Sequence, residues 1–299
     1  MSGQLVHTGQ VVIDLVMRVP ALPPVGGDVL ASNTVEQPGG GFNVMAAAAR
    51  AGADVVYTGG HGSGPRGDLA RAALAAEGIT VALPPTPDAD TGLCVVLVDD
   101  SGERTFVTGS GAETAVAGTP PPVAAADVVY VSGYSLLVPE KAEQILALTG
   151  GSVLVDPGPL VAEIDPALWA RTLARTSVLS CNAREARLLS GRTDPADAGR
   201  ALGAVLPDGA VVVIRDGAAG CHVVRDGVAE HVPGVPVDAV DTNGAGDAHC
   251  GVLAAELLRG ADLREAATRA NAAAALAVTR AGPATAPTRA EVDALLARR

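Results

Sequence analysis

Residues 241–260 read DTNGAGDAHCGVLAAELLRG and join a turn of small residues to an apolar helical pattern. The first turn of a helix leaves backbone N–H groups unpaired and the helix dipole makes that end positive, so the turn Gly244-Ala245-Gly246 is a candidate anion site. Asp247 comes next. A carboxylate fixed beside a bound anion is electrostatically unfavourable, so its presence there suggests a catalytic role. We interpret Asp247 as a base that takes a proton from a hydroxyl attacking a phosphate. The alternative is an acidic residue that only stabilises the helix start.

A second glycine-rich turn, PGGGFN at 38–43, also precedes a helical pattern. Its glycines allow the backbone to approach a ligand closely, and Asn43 would offer a donor and an acceptor there. Phe42 would stack on a ligand ring or close a lid, and the alternative role for Asn43 is a plain helix cap. Asp14 is predicted at the end of the first strand, where parallel sheets bind ligands, and would accept hydrogen bonds from sugar hydroxyls. A turn-forming aspartate is the alternative for Asp14.

Two further motifs follow predicted strands in the second half of the chain. Asn182 and Glu185 are spaced i, i+3 at a helix start, so their oxygens share one face and would hold Mg²⁺ through water. The same spacing is that of a helix capping box. Residues 215–220, RDGAAG, form a predicted tight turn between two strands. The glycines of this turn would let the backbone pass close to nucleotide phosphates, or would only complete a hairpin.

The composition is that of a globular protein with a full core. The chain has 299 residues, of which 48% are hydrophobic, and no uninterrupted apolar run reaches the length of a membrane span. The four cysteines are far apart without a CxxC pair, and the N-terminus lacks the features of a signal peptide, so we expect a cytoplasmic location. The net charge of −12 disfavours nucleic acid as a partner, and it requires local groups or a metal to hold any phosphate.

Short β-rich runs alternate with helical patterns, which predicts an α/β fold with a mostly parallel central sheet covered by helices on both faces. The predicted strands are Val11–Val16, Val55–Thr58, Val95–Val98, Val128–Ser132, Val153–Asp156, Val178–Ser180, Val211–Arg215 and Cys221–Val224. The predicted helices are Asn43–Ala51, Gly67–Glu77, Pro139–Leu148, Ala183–Leu189, Ala196–Leu206, Ala248–Arg259, Leu263–Val278 and Arg289–Ala297.

Two segments break this alternation. Residues 16–38 have strand character without a helix, and residues 93–108 have the signature of a hairpin with a turn at Asp100-Ser101-Gly102. We expect these segments to form a small β lid over one edge of a single domain that spans residues 1–299. A lid is relevant to phosphoryl transfer because water must be kept away from the phosphate.

In this order the motifs resemble those of the ribokinase-like (PfkB) family of carbohydrate and nucleoside kinases, from Asp14 to Pro287. The turn Gly39–Asn43 and the downstream GGHGSGPRGD at 59–68 are similar to the family's N-terminal signature. Asp241–Asp247 matches the C-terminal signature DTxGAGD, which is highly specific, and residues 182–185 match the family's NxxE motif. The resemblance implies a ribokinase-like three-layer α/β fold and an ATP- and Mg²⁺-dependent kinase that phosphorylates a hydroxyl group of a sugar or nucleoside.

The resemblance also implies a role for each matching residue. Asp247 would be the catalytic base, and the backbone N–H groups of Gly244, Ala245 and Gly246 would form the anion hole. The candidate acceptor-binding residues are Asp14, Gly40, Gly41, Phe42, Asn43, Phe106 and Tyr134. The candidate nucleotide-binding residues are Asn182, Arg215, Gly217, Gly220 and Asn271, and Glu185 would arrange Mg²⁺ indirectly. A monovalent cation such as K⁺ would match Asp241, Asn243, Ala277 and Gly282.

Three positions depart from the family pattern. Ribokinases show GGKGAN, whereas the turn Gly39–Asn43 is one residue shorter and has no lysine, which argues against ribose as the acceptor. His249 stands where many members have a phenylalanine two residues after the base, and we expect it to pack beside the helix. Ala286 stands where ribokinases offer a serine near the monovalent site, which bears on potassium dependence. For Tyr134, a core position is the alternative to a substrate contact.

The acceptor itself is left open among fructose or another hexose, a deoxy or phosphorylated sugar, and a nucleoside. Asp14 and the lack of basic residues around Gly39–Asn43 favour an acceptor without a phosphate. The family resemblance also implies a homodimer formed through the lid. A catalytically silent sugar- or nucleotide-binding regulator on the same fold is the alternative function. An oxidoreductase is not supported, because no GxGxxG follows the first strand.

Overall fold

The computed structural model describes residues 3–116 and 118–298. Short runs of apolar and β-branched residues form the strands, because such side chains pack well on a pleated surface. The strands, in chain order, are β1 Leu5–His7, β2 Val11–Arg18, β3 Asn33–Gly40, β4 Val55–Tyr57, β5 Thr80–Val81, β6 Leu93–Val98, β7 Arg104–Gly109, β8 Val128–Ser132, β9 Ser152–Asp156, β10 Val178–Asn182, β11 Val211–Arg215, β12 Gly220–Arg225 and β13 Val228–Pro233.

Helices fill most of the connections between the strands. In chain order they are α1 Gly41–Arg50, α2 Pro65–Ala76, α3 Gly133–Leu136, α4 Pro139–Ala147, α5 Pro166–Leu173, α6 Ala183–Ser190, α7 Pro195–Gly203, α8 Ala245–Leu258, α9 Leu263–Val278 and α10 Arg289–Leu296. Among the described residues, none of the helices combines the length and the apolar character that crossing a membrane requires.

The main sheet has the strand order β13-β12-β11-β10-β9-β8-β1-β4-β5. Neighbouring strands from β11 to β5 pair in parallel, and β12 and β13 add an antiparallel edge. One core cluster joins one face of this sheet to α1, α2, α8, α9 and α10, and a second cluster joins the other face to α3 through α7. The predicted α/β fold with helices on both faces of a mostly parallel sheet is therefore confirmed.

Helices α1 and α8 pack closely because both present small residues to each other. A Cβ on Gly251 would lie 2.4 Å from the carbonyl oxygen of Val44 and 2.7 Å from the side chain of Ala47, so glycine is required for this approach. The first turns also meet, since Asn43 contacts Asp247. The two helices therefore run in the same direction and bring their N-terminal ends to one place.

A second sheet of four strands, which we call the small sheet, has the order β3-β2-β6-β7. The pairing aligns Asp14 with Cys94 and Cys94 with Thr108, so these residues share one face. By the same alternation Arg104 and Phe106 belong to this face, which we call the inner face. The loop between β2 and β3 forms no strand, so strand structure in 16–38 is limited to its two ends.

The predicted elements agree with the structure except near the N-terminus and in four short stretches. Leu263–Val278 is a helix over the same residues, and the other predicted helices are shifted by a few residues at their ends. Val11–Val16 is a strand as predicted and lies within β2, but the expectation that it is the first strand was wrong, because β1 precedes it in the main sheet and β2 belongs to the small sheet. The helices α3 and α5 and the edge strands β5 and β13 were not predicted, because short segments carry little periodic signal.

Candidate active site

Helix α8 begins at the glycine turn that the sequence analysis singled out, and no side chain of the described residues caps it. Gly244 has φ +75°, and a Cβ there would lie 1.9 Å from the carbonyl oxygen of Pro283, so only glycine fits. Five other helices are capped by side chains, namely by Asp165, Asn182, Asp194, Asp262 and Thr288. No described side chain therefore caps the first-turn N–H groups of α8, as an anion site requires, and the N–H of Ala245 makes only a long bond of 3.4 Å to the carbonyl oxygen of Thr242. We call the space in front of this turn the cleft.

Asn43 lies beside this turn and holds Asp247. Its Nδ2 donates to Oδ2 of Asp247 at 3.1 Å. The helix-cap alternative is wrong, because the N-cap of α1 is Gly40 and Asn43 already lies within the first turn. The Oδ1 atom of Asn43 is buried and has no hydrogen-bond partner among the described residues. A buried acceptor of this kind calls for a donor, which a bound hydroxyl group would supply.

Asp14 points at the same place from the inner face of the small sheet. A Cβ on Gly39 would lie 2.2 Å from Oδ2 of Asp14, so the glycine leaves the room that this carboxyl occupies. Burial raises the pKa of Asp14 to about 6, and the charge of Asp247 acts in the same direction. The reasoning that placed Asp14 at the carboxyl end of a main-sheet strand was wrong, since a residue within β2 reaches the cleft from the small sheet.

Burial likewise raises the pKa of Asp247 to about 6. The hydrogen bond from Asn43 opposes this shift, and the charge of Asp156 adds to it. A carboxyl with this pKa is ionised at neutral pH yet basic enough to accept a proton, which is the requirement for a general base.

The carboxyl ends of three adjacent parallel strands line the other side of the cleft. Asp156, Asn182 and Arg215 are the last residues of β9, β10 and β11. Because parallel strands end at the same edge of a sheet, these residues come together although they are far apart in the sequence.

The guanidinium of Arg215 lies at the centre of this edge. Its Nη1 is 3.1 Å from Oδ2 of Asp156 and 2.9 Å from Oγ of Ser180, and its Nη2 is 3.6 Å from Oε2 of Glu185. A Cβ on Gly246 would lie 3.8 Å from Nη2 of Arg215. The anion site at the start of α8 therefore has a fixed positive charge beside it.

Comparisons with known proteins identify the family and the fold of the chain. Residues 2–289 match the model of the pfkB family carbohydrate kinases. The chain belongs to this family. It is 31% identical to a protein of Escherichia coli K12 named uncharacterized sugar kinase YegV, with 98% of each chain covered. The structure of ribokinase from Thermotoga maritima superimposes with a TM-score of 0.83 at 24% identity, covering 99% of this chain and 100% of that one.

A further structure, of aminoimidazole riboside kinase from Salmonella enterica with aminoimidazole riboside and an ATP analog, matches at 28% identity and a TM-score of 0.80. That match covers 98% of this chain and 100% of the other. The protein is thus a carbohydrate kinase of the PfkB family, a phosphotransferase with an alcohol group as acceptor, on a ribokinase-like fold.

In this PfkB kinase, the NxxE motif forms a capping box. Asn182 Oδ1 accepts from the N–H of Glu185 at 2.9 Å, and Glu185 Oε2 accepts from the N–H of Asn182 at 2.8 Å. The capping alternative is therefore confirmed. Capping is not the only contact that the motif makes, because the carboxylate of Glu185 also faces Arg215. Burial, followed by the charge of Asp156, raises the pKa of Glu185.

The other residues assigned to the nucleotide lie around β11, β12 and α9. Gly217 has φ +54° and open space around its Cβ position. Gly220 opens β12, and a Cβ there would lie 2.2 Å from the carbonyl oxygen of Val232, so this glycine serves the backbone turn. Asn271 is buried and donates from Nδ2 to the carbonyl oxygens of Val232 and Pro233 at 3.0 and 3.3 Å. Its amide therefore ties α9 to the end of β13.

The aromatic candidates are placed differently from one another. Phe42 belongs to the first turn of α1 and its side chain is buried in the core, which makes it a packing residue and leaves no ring face for a ligand. Phe106 is on the inner face and 54% exposed. Tyr134 follows β8 and is 44% exposed, so the alternative of a core tyrosine is wrong. Gly40 and Gly41 form the turn into α1, where the N–H of Gly41 donates to Gln10.

The residues assigned to a monovalent cation meet where the loop before α8 touches the turn after α9. Asp241 accepts from the N–H groups of Asn243 and Gly282. The hydroxyl of Thr285 shares its one hydrogen between the carbonyl oxygens of Ala277 and Gly282.

Three residues of the cleft edge were not identified from the sequence. Asp156 ends a correctly predicted strand. Ligands bind at the carboxyl ends of parallel strands, and this reasoning, which was used for Asp14, would have identified Asp156. Ser180 and Cys250 contact Arg215 Nη1, with the thiol sulfur at 2.7 Å, but they lie inside apolar patterns that give no such signal. His249 is buried and burial lowers its pKa to about 3, so the expectation that it packs beside the helix is confirmed.

Proposed function

We propose that this kinase transfers the γ-phosphate of ATP to a hydroxyl group of a small, uncharged sugar or nucleoside, with Asp247 as the catalytic base. The observation that carries the proposal is the hydrogen bond between Asn43 and Asp247 at the uncapped start of α8. It places a carboxylate of raised pKa beside a set of N–H groups suited to a phosphate. A base and an anion site side by side are what phosphoryl transfer to a hydroxyl needs.

In this mechanism the acceptor hydroxyl lies against Asp247, which takes its proton as the oxygen attacks the γ-phosphorus. The bond from Asn43 fixes the orientation of the carboxylate, so that its free oxygen faces the acceptor. The charge that builds up on the transferring phosphate is held by the N–H groups of Gly244, Ala245 and Gly246. Arg215 adds a fixed positive charge beside this turn, since a Cβ on Gly246 would lie 3.8 Å from its Nη2.

The acceptor is recognised by groups that accept hydrogen bonds. Asp14 offers a carboxylate, and Asn43 offers its unpartnered Oδ1. Two acceptors that come from different elements and lie near Asp247 suit a molecule with several hydroxyl groups, such as a sugar or the ribose of a nucleoside. A phosphate on the acceptor would be repelled by the neighbouring negative charges of Asp14 and Asp247. Phe106 and Tyr134 would contact the apolar face of the ring.

ATP would lie along the carboxyl ends of β10 and β11, against Gly217, Gly220 and Asn271. Mg²⁺ usually keeps several waters and binds through one or two carboxylates together with the phosphates of its substrate. Glu185 and Asn182 fit this mode, since one carboxylate faces the phosphate side of the cleft. The ion would neutralise charge on ATP, which the net charge of −12 otherwise repels. The small sheet would act as a lid that keeps water from the phosphate.

The test is a coupled ADP-release assay with Mg-ATP and a panel of sugars and nucleosides, run on the wild type and Asp247→Asn. We expect one strong acceptor and a loss of at least roughly 10³-fold in kcat for the variant, with binding retained. Excess chelator should abolish turnover. Near-wild-type turnover of Asp247→Asn would disprove the role of the base.

Asn43→Ala serves as a matched variant in the same assay. We expect it to raise the KM of the acceptor with a modest change in the KM of ATP, because Asn43 lies on the acceptor side. An effect confined to ATP would refute this placement. If no compound of the panel is phosphorylated while ligands still bind by calorimetry, the silent regulator becomes the better account.

A further inference from the structure

The loop before α8 is held to the turn after α9 by Asp241. Its Oδ1 accepts from the N–H of Asn243 at 2.8 Å, and its Oδ2 accepts from the N–H of Gly282 at 3.0 Å. Burial alone would raise the pKa of Asp241, but these two bonds and the guanidinium of Arg104 hold it below its usual value. Because Gly244 follows three residues later in the same loop, the position of Asp241 sets where the anion site begins.

Arg104 reaches Asp241 from the small sheet. It begins β7 on the inner face, and its Nη2 forms an ion pair with Oδ1 of Asp241. The side chains are 21% and 11% exposed, so bulk salt screens this pair less than it screens a surface pair. Among the salt bridges of the described residues, no other joins a strand of the small sheet to the rest of the protein.

The groups that the family resemblance assigns to a monovalent cation do not fit such an ion here. The carbonyl oxygens of Ala277 and Gly282 share the single hydrogen of the Thr285 hydroxyl, whose oxygen lies 3.0 and 3.2 Å from them. The carbonyl of Ala277 also accepts from the N–H of Arg280 at 3.1 Å. Both oxygens of Asp241 are engaged, and the guanidinium already beside them would repel a second positive charge.

We infer that the guanidinium of Arg104 takes the place of a monovalent cation at the loop before the anion site. The inference rests on the proposed kinase function, and it makes Arg104 a positioning residue that acts through Asp241. Because Arg104 belongs to the small sheet, its charge reaches Asp241 only when the inner face is folded over the cleft. The small sheet therefore covers the acceptor and brings Arg104 to Asp241 in the same movement. Neither step needs a monovalent cation.

The first test compares the wild type in potassium chloride and in tetramethylammonium chloride at equal ionic strength. We expect kcat and the KM of ATP to agree within about twofold, because the site already carries its positive charge. Activation by potassium of roughly fivefold or more would overturn the inference.

The second test compares Arg104→Met, which keeps the apolar stem, with Arg104→Lys, which keeps the charge. We expect Arg104→Met to lower kcat roughly tenfold or more, with a smaller change in the acceptor KM, and Arg104→Lys to restore most of it. Arg18→Met is the matched control, because Arg18 aligns with Arg104 through Val98 and is exposed. Equal activity of Arg104→Met and Arg104→Lys would show that the charge is not what matters.

A third measurement does not depend on turnover. Hydrogen–deuterium exchange of the ligand-free protein should become faster in Arg104→Met both in the hairpin 93–109 and in the loop 239–246. In Arg18→Met the loop 239–246 should exchange as in the wild type. Unchanged exchange of this loop in Arg104→Met would overturn the inference even if the enzyme phosphorylates its acceptor. If no acceptor is found, the proposed function fails while the exchange data still decide whether Arg104 holds the loop.

Discussion

At the scale of single residues, the site depends on two carboxyls that the fold brings together against their electrostatic preference. Asp14 comes from strand β2 of the small sheet and Asp247 from helix α8. Burial is the main reason why the pKa of each is raised to about 6. Of the two, only Asp247 receives a side-chain hydrogen bond from the described residues, and its donor is Asn43. That bond stabilises the ionised form of Asp247 and opposes the effect of burial, and the charge of Asp247 in turn raises the pKa of Asp14.

The pH dependence of the kinase should report this pair. Asp247 must be ionised to act as a base, so kcat/KM should fall about tenfold per pH unit below pH 6 and level off above it. Asp14→Asn removes a repelling neighbour, which should lower the pKa of Asp247 and move the acid limb to lower pH. The measurement is a pH–rate profile of both proteins with a pH-stable coupling system. A profile that is flat through pH 6, or an acid limb that does not move in Asp14→Asn, would contradict this account.

At the scale of elements, the site is made by two parallel helices that begin side by side. Small residues along α1 and α8 allow the close approach, and Gly251 is the point where no side chain fits. Asn43 and Asp247 then lie one turn before this contact on their respective helices. The two helices that meet at the cleft both lack a side-chain cap, so the polar groups of their first turns are left for ligands.

Alanine at two glycines of the same turn should lower activity in both cases but should differ in its effect on stability. Gly246→Ala places a methyl group in ordinary contact with Arg215, 3.8 Å from its Nη2, on the side where the phosphate is expected, so activity should fall at least about tenfold while stability is kept or raised by up to about 1 kcal/mol. Gly244→Ala meets the carbonyl of Pro283 at 1.9 Å and requires φ +75°, so it should lower both activity and stability. Thermal unfolding together with the ADP-release assay separates the two. Full activity in Gly246→Ala would place the phosphate elsewhere.

The sequence was informative wherever the chemistry lies in one short segment. The turn into α8 and the strands that end in Asp156 and Arg215 could be read locally, because helix starts and strand ends have their own composition. The position of Asp14 could not, since β2 pairs with β6 about eighty residues away and either sheet would have suited its apolar pattern. The ion pair of Arg104 with Asp241 and the thiol of Cys250 beside Arg215 arise only from tertiary packing.

At the scale of the whole molecule, the small sheet has two functions to reconcile. Its inner face carries Asp14, Phe106 and Arg104 toward the cleft. Part of the opposite face packs on the helices. The rest of that face carries the apolar side chains of Leu15, Met17, Val95, Leu97 and Val107. Val107 is 63% exposed, although exposed apolar patches on a sheet are normally covered. We therefore keep the prediction from the sequence that this sheet forms a homodimer.

Sedimentation velocity across the micromolar range should show a dimer that strengthens with salt, because screening reduces the repulsion between two chains of charge −12. Val107→Asp puts a charge into the apolar face and should shift the protein to monomer. The control is Val228→Asp, which adds the same charge at a 70% exposed position on the edge of the main sheet. A monomeric wild type, or equal dissociation of both variants, would contradict the prediction. Since β7 carries Val107 on one face and Arg104 on the other, loss of the dimer should also loosen the contact with Asp241 and lower turnover.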